Sequence, residues 1–338
     1  MELVILPNIY NKKFYNALKR KEQNVPPIWM MRQAGRYHKH YQQLKQKYTF
    51  EQLCRNPELA CEVTLGPIQD FDFDAAILFS DILFPLDFLG MNLSFNPGPT
   101  FKNNLSEQML IEYNIEEFQD YIQFQNQSLK LIRENLPKDK SLIGFVGGPM
   151  TLYHFALRNN PISDNLFSLA IPVLENILDK NIDIQFQNDI DLLMIFDTEA
   201  INLTDEDFIK FCIPFLEKIA DKYPHQIGYF TKSISFNKFQ ELKKINNLKL
   251  TVLGVNHNLL EELPQTHLTL QGNFSNELLS LSDTNDFKAS LNEYINLCQS
   301  VNPKDRAGWI ASLDHGVQKT TPETNIHLFI EQIRTKLS

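Results

Sequence analysis

Short apolar runs bounded by polar or turn residues recur along the chain, at Ile28–Met31, Ala75–Phe79, Leu142–Val146, Leu192–Phe196, Ile227–Phe230, Leu250–Val255, Leu268–Leu270 and Gly308–Ala311. Their length and aliphatic content predict buried strands. Between most of them apolar residues fall at helical spacing, as at Phe118, Ile122, Leu129, Ile132 and Leu136, or at Phe208, Phe211, Phe215 and Ile219. Strands that alternate with helices predict parallel pairing, because only a long crossover returns the chain to the same edge of a sheet. Eight such units predict an α/β fold of the (β/α)8 TIM barrel type. Phe84 to Ser141 is the longest excursion, with a turn at Asn96-Pro97-Gly98-Pro99 followed by a long amphipathic helix. Without repeats, low-complexity tracts or a long linker, the chain reads as one domain over residues 1–338, with a basic segment, 1–26, before the first strand.

The polar residues favour a barrel over an open sheet. Nearly every run ends in groups able to do chemistry: Arg32-Gln33, Ser80-Asp81, Gly147-Gly148, Asp197-Thr198, Thr231-Lys232, Asn256-His257, Gln271-Gly272-Asn273 and Asp314-His315. In a barrel those ends converge on one face, the one that holds active sites; an open doubly wound sheet would leave some away from its single crevice.

Composition narrows the classes. Hydrophobic residues make up 43% and charged residues 22% of 338, the balance of an ordinary globular protein. No uninterrupted apolar stretch reaches the ~18 residues of a spanning helix, and the N-terminus does not read as a signal peptide, so a cytoplasmic location is expected. The net charge of −9 speaks against a nucleic-acid or anionic-membrane partner. Residues 1–45, however, hold nine of the 32 basic residues and only two of the 41 acidic ones, so this stretch is the candidate cationic patch for a polyanion, or else a solvated basic tail. Cys54, Cys61, Cys212 and Cys298 have no CxxC or His-x-Cys spacing, so no metal site is expected and buried free thiols are.

Three places carry chemistry. Arg32 and Arg36 flank Gln33-Ala34-Gly35 just after the first run. A guanidinium fork binds carboxylate through two parallel charge-assisted hydrogen bonds, although the same spacing fits a solvated helix face. Asp81 is an acid inside an apolar stretch, so a helix N-terminus, an arginine or a cationic ligand must compensate it, unless it serves only as a cap. His315 follows the last run beside Asp314, with a structural role as the plainer alternative. The glycines of Leu142–Pro149 lack the spacing and the Lys-Ser/Thr ending of a phosphate loop, and are expected instead to let the backbone turn around a bulky planar ligand.

Residues 27–37 (PIWMMRQAGRY), 53–65, 72–83 (DFDAAILFSDIL), 142–152 (LIGFVGGPMTL), 194–198 (MIFDT) and 230–232 (FTK), continued by Gln271-Gly272-Asn273 and His315-Gly316, resemble successive blocks of the uroporphyrinogen decarboxylase family. The resemblance implies a homodimeric (β/α)8 barrel that converts uroporphyrinogen III into coproporphyrinogen III by removing carbon dioxide from four acetates, without metal or organic cofactor. It implies that Asp81, Arg32 and Arg36 are catalytic. It also implies that Arg32, Gln33, Ala34, Gly35, Arg36, Asp81, Phe155, Thr198 and His315 contact the tetrapyrrole. The chain departs from the family pattern at Phe155 (usually Tyr), Lys45 (usually Arg), Glu199-Ala200-Ile201 (usually starting Gly-Gly) and Asn256-His257 (usually Asp and Trp). These departures raise an alternative, a tetrapyrrole-binding paralogue with little or no turnover. The methyltransferase branch of the same fold is set aside because its zinc ligands have no counterpart among the four cysteines.

Overall fold

The computed structural model describes residues 10–96, 98–157 and 164–338. Seven parallel strands form one curled sheet in chain order: β1 (Ala75–Ile77), β4 (Ser141–Gly147), β5 (Leu192–Phe196), β6 (Ile227–Phe230), β7 (Leu248–Val252), β8 (Thr269–Phe274) and β9 (Trp309–Leu313). Strands β2 (Leu93–Phe95) and β3 (Pro99–Phe101) form a separate antiparallel hairpin in the excursion after β1, around the anticipated turn, of which Pro97 lies outside the described residues. The long helix expected after that turn is three shorter ones, Glu107–Glu112, Ile115–Tyr121 and Gln123–Asn135. Its apolar stripe is buried as the spacing predicts, from Phe118 and Ile122 through Ile132 to Leu136. Buried apolar residues from Phe14 to Leu337 form one connected cluster.

The expected first strand, Ile28–Met31, is reduced to a single parallel bridge between Ile28 and Ala311 of β9. Proline at 26 and 27 offers no amide hydrogen to a ladder. The next donors go to side chains: Ile28 N donates to Asp74 Oδ2 (2.8 Å) and Met30 N to Gln33 Oε1 (3.2 Å). On its other side Ile28 accepts from Asp74 N (2.9 Å), so the segment lies beside both β9 and β1 while pairing as a strand with neither.

Two further expectations change. Gln271, Gly272 and Asn273 are not beyond a strand end but inside β8. The basic N-terminal segment does not reach the carboxyl-end face as one patch. Lys13 pairs with Asp74 (2.7 Å) just before β1, and Arg20 donates to the carbonyls of Leu268 (2.6 Å) and Leu263 (2.5 Å) just before β8, so both cations sit at the amino ends of strands.

Candidate functional site

Gln33, the buried centre of the Arg32–Arg36 segment, builds the loop that presents the two arginines. Its side chain accepts from Met30 N and donates to Ala75 O of β1 (2.9 Å), while its carbonyl accepts from Tyr37 Oη (2.6 Å). Held this way, Arg32 adopts a left-handed backbone (φ 61°), unusual for a residue with a side chain. Gly35 is required by contact: a Cβ there would lie 2.7 Å from Arg32 O. Both arginines point outward and are exposed, whereas Ala34 and Gly35 are half-buried. Desolvation, then the charge of Arg36, lowers the pKa of Arg32.

His315 is brought to the same place. Val317 N donates to Met31 O (3.0 Å), and the stem of Arg32 lies across Gly316, where a Cβ would be 2.6 Å from Arg32 Cδ. The imidazole Nδ1 accepts from Gly316 N (2.7 Å). Desolvation first, then Arg32 and Lys232, push the pKa of His315 down to about 4, so near neutral pH the ring is uncharged with its proton on Nε2. The neighbouring Asp314 does not hold the ring charged; its carboxylate accepts from Asn276 N (2.8 Å).

Asp81 follows β1, on the carboxyl side of the sheet. Desolvation raises its pKa to about 6 against one opposing hydrogen bond, from Leu83 N to Oδ1 (2.9 Å). Of the three compensations open to it, an arginine is ruled out: among the described residues no cation forms an ion pair with Asp81.

An aromatic row crosses this face. Phe145 of β4, Phe196 of β5, Phe230 of β6 and the His315 ring stand in series at centroid spacings of 5.5, 6.0 and 5.6 Å. The sequence reading passed over it, although an aromatic near the end of successive strands was a visible signal. Lys232, which the sequence offers only as one polar strand end among several, brings its charge to His315 from just beyond β6. Among the described residues neither Lys232, Arg32 nor Arg36 forms an ion pair.

Thr198 and Phe155 lie at the ends of the next elements, both half-buried, Thr198 opening a 3-10 turn after β5 and Phe155 on helix Pro149–Ala156 after β4. Buried Asp197 joins these elements: it accepts from Thr151 N (2.9 Å), Thr151 Oγ1 (2.7 Å), Tyr229 Oη (3.2 Å) and Cys212 Sγ (3.5 Å). Gly148 makes room for that carboxylate, since a Cβ would lie 2.1 Å from Asp197 Cγ. Glu199 turns to His154 (3.4 Å) and accepts from Asn202 (3.0 Å). Lys45 is exposed near the end of helix Lys39–Lys47.

Several anticipated polar groups are committed to backbone. Asn256 and His257 both donate to Ile234 O, and Asn273 donates to the carbonyls of Gly254 and His257. Two surface hollows, of about 490 Å³ beside Arg306 and about 400 Å³ beside His40 and Cys61, include none of the site residues above.

Fold and site together define a class: a parallel α/β protein carrying unpaired cations, an aromatic row and a desolvated acid on the carboxyl-end face of its sheet. Comparison with known proteins makes the assignment particular. The uroporphyrinogen decarboxylase (URO-D) family profile matches residues 10–336. Uroporphyrinogen decarboxylases of Orientia tsutsugamushi and Wolinella succinogenes are 33% and 32% identical, over 95% and 96% of this chain and 98% of each relative. The chain belongs to the uroporphyrinogen decarboxylase family. A methyltransferase from Methanosarcina mazei shares the fold, with a TM-score of 0.76 over 98% of this chain and 99% of that one at 15% identity.

Proposed function

We propose that this chain is a carboxy-lyase that removes carbon dioxide from the four acetate side chains of uroporphyrinogen III to give coproporphyrinogen III. One observation carries the reading: Asp81 is a desolvated carboxylate without a cation of its own, on the strand-end face that also holds the unpaired Arg32 and Arg36. Loss of carbon dioxide from an acetate on a pyrrole leaves carbanion character, and protonation of the ring supplies the electron sink as an iminium cation. Asp81 accepts from the inward pyrrole N–H groups and stabilises that cation, with greater effect for being desolvated. The sink is the substrate's own ring, so the step needs no metal or organic cofactor.

Arg32 and Arg36 bind substrate carboxylates, and the neutral His315 donates from Nε2 to another. Lys232 adds a further cation beside His315, and the edge-to-face aromatic row gives the macrocycle an apolar wall. Thr198 and Phe155 contact its side chains. Gln33, Ala34 and Gly35 act by shaping the loop. The departure at Glu199 is engaged locally, its carboxylate turned to His154 and Asn202, which supports turnover over the carrier alternative. We further assign the Ile28 segment to closing a single (β/α)8 barrel between β9 and β1, and read the protein as a cytoplasmic homodimer; sedimentation at micromolar concentration tests the dimer.

The deciding experiment is anaerobic incubation with uroporphyrinogen III, followed by chromatography of the oxidised products. Porphyrins of seven to four carboxylates are expected. Tight binding without any of them would establish the carrier instead.

A further inference from the structure

At the other end of the sheet, the amino ends of β6, β7 and β8 gather five basic side chains. His225 lies two residues before β6, Lys249 is the second residue of β7, and His267 lies two residues before β8. Lys19 and Arg20 come from the turn after helix Lys12–Leu18, which is fastened here because Thr269 Oγ1 donates to Ala17 O (3.0 Å). Arg20 takes a left-handed backbone (φ 51°), and its guanidinium passes over Gly308, where a Cβ would lie 2.4 Å from Nη1. His225 N donates to Asn247 O (2.9 Å), which draws the loop before β6 toward β7.

Among the described residues no acid forms an ion pair with any of these five side chains. The charged neighbours that perturb Lys249, His225 and His267 are all cations. Burial, then Arg20 and Lys19, push Lys249 down to about 8. Three carboxylates on the flanking elements are engaged elsewhere, Glu262 with Lys243 (3.4 Å), Glu241 with Lys244 (2.7 Å) and Asp221 with Asn247 (2.8 Å), while exposed Glu22, two residues after Arg20, pairs with none of the five. His267 donates through Nε2 to Ile245 O (3.2 Å), leaving Nδ1 to gain a proton when an anion arrives.

We propose that Lys19, Arg20, His225, Lys249 and His267 form a second anion site, remote from the Asp81 face, for a small multiply charged oxyanion of the phosphate class. A charge of −2 or more is called for because several cations converge within three strand ends, and the half-buried Lys249 and His225 gain most from a ligand that restores their charged forms.

The test is titration of the full chain with inorganic phosphate at pH 7 and constant ionic strength, read by imidazole NMR. Saturable binding is expected, with the pKa values of His225 and His267 rising by about one unit. Lys249→Met should weaken binding about tenfold or more. His225→Gln, a loop change, is the second variant should the strand substitution impair folding, and it should weaken binding in the same direction. Chloride at matched ionic strength that reproduces the histidine shifts would overturn the site, as would phosphate binding unchanged in both variants, which would place the anion at Arg32 and Arg36. Absence of saturable binding up to ~10 mM would overturn it too.

Discussion

Asp81 and His315 face opposite electrostatic penalties, and their titrations provide direct tests. Asp81 has its pKa raised to about 6, so the folded state binds more protons than the unfolded state between the ordinary carboxylate range and pH 6. Stability therefore falls as pH rises through that window, by about 3 kcal/mol. Asp81→Asn should melt at a higher temperature than the parent at pH 7, the difference closing below pH 4 in calorimetry, and should lose turnover by roughly a thousandfold. A fully active variant would remove Asp81 from the mechanism. His315 has its pKa lowered to about 4, so its contribution is fully present above the ordinary histidine pKa and is lost as pH falls through 4. Imidazole NMR of the free protein should show an uncharged ring with Nε2 protonated at pH 6. The His154–Glu199 contact predicts a third outcome: His154→Ala removes the partner that holds the Glu199 carboxylate, and KM for uroporphyrinogen should rise several-fold at low salt with kcat little changed.

At the scale of elements, the Arg32–Arg36 loop shows how a motif is assembled. The arginines are its reactive groups, but Gln33 sets their position through three hydrogen bonds spanning Met30, Ala75 and Tyr37, two of them from its side chain. Gln33→Leu should cost about 2 kcal/mol in denaturant unfolding, since two buried partners lose their bonds, and should raise KM more than it lowers kcat. Unchanged kinetics in that variant would mean that the left-handed Arg32 is held by other contacts. Asp197 plays the comparable part for the elements after β4 and β5, fastening helix Pro149–Ala156 against the turn that carries Thr198. Both roles were hidden in the sequence for one reason: a buried amide or acid looks the same as a reactive one until its partners are located. The same holds for Asn256, His257 and Asn273, whose positions near strand ends suggested chemistry and whose side chains serve carbonyls.

At the scale of the whole molecule, Asp74 joins distant parts of the chain, accepting from Ile28 N and from Asn11 Nδ2 and Lys13 Nζ at the start of the first helix, with Arg334 of the last helix 3.7 Å away. Asp74→Ala strands a lysine and two buried donors, and should lower stability by about 3–5 kcal/mol in unfolding experiments while the folded fraction keeps its turnover. The sequence alone determined the parallel α/β order, because apolar runs and helical stripes are local patterns, and it determined the family, because the RQAGR and FSDIL blocks are contiguous. It also placed Arg32, Arg36, Asp81 and His315 on one face, since parallel strands put every carboxyl end on the same side. Tertiary structure alone decided the rest. It reduced the first strand to one bridge, because Asp74 and Gln33 take its donors, and it sent Lys13 and Arg20 to the far end of the sheet. It left Asp81 desolvated and unpaired, and the His315 ring uncharged between cations. Protonation and burial depend on which distant groups become neighbours, and no local pattern in the chain encodes that.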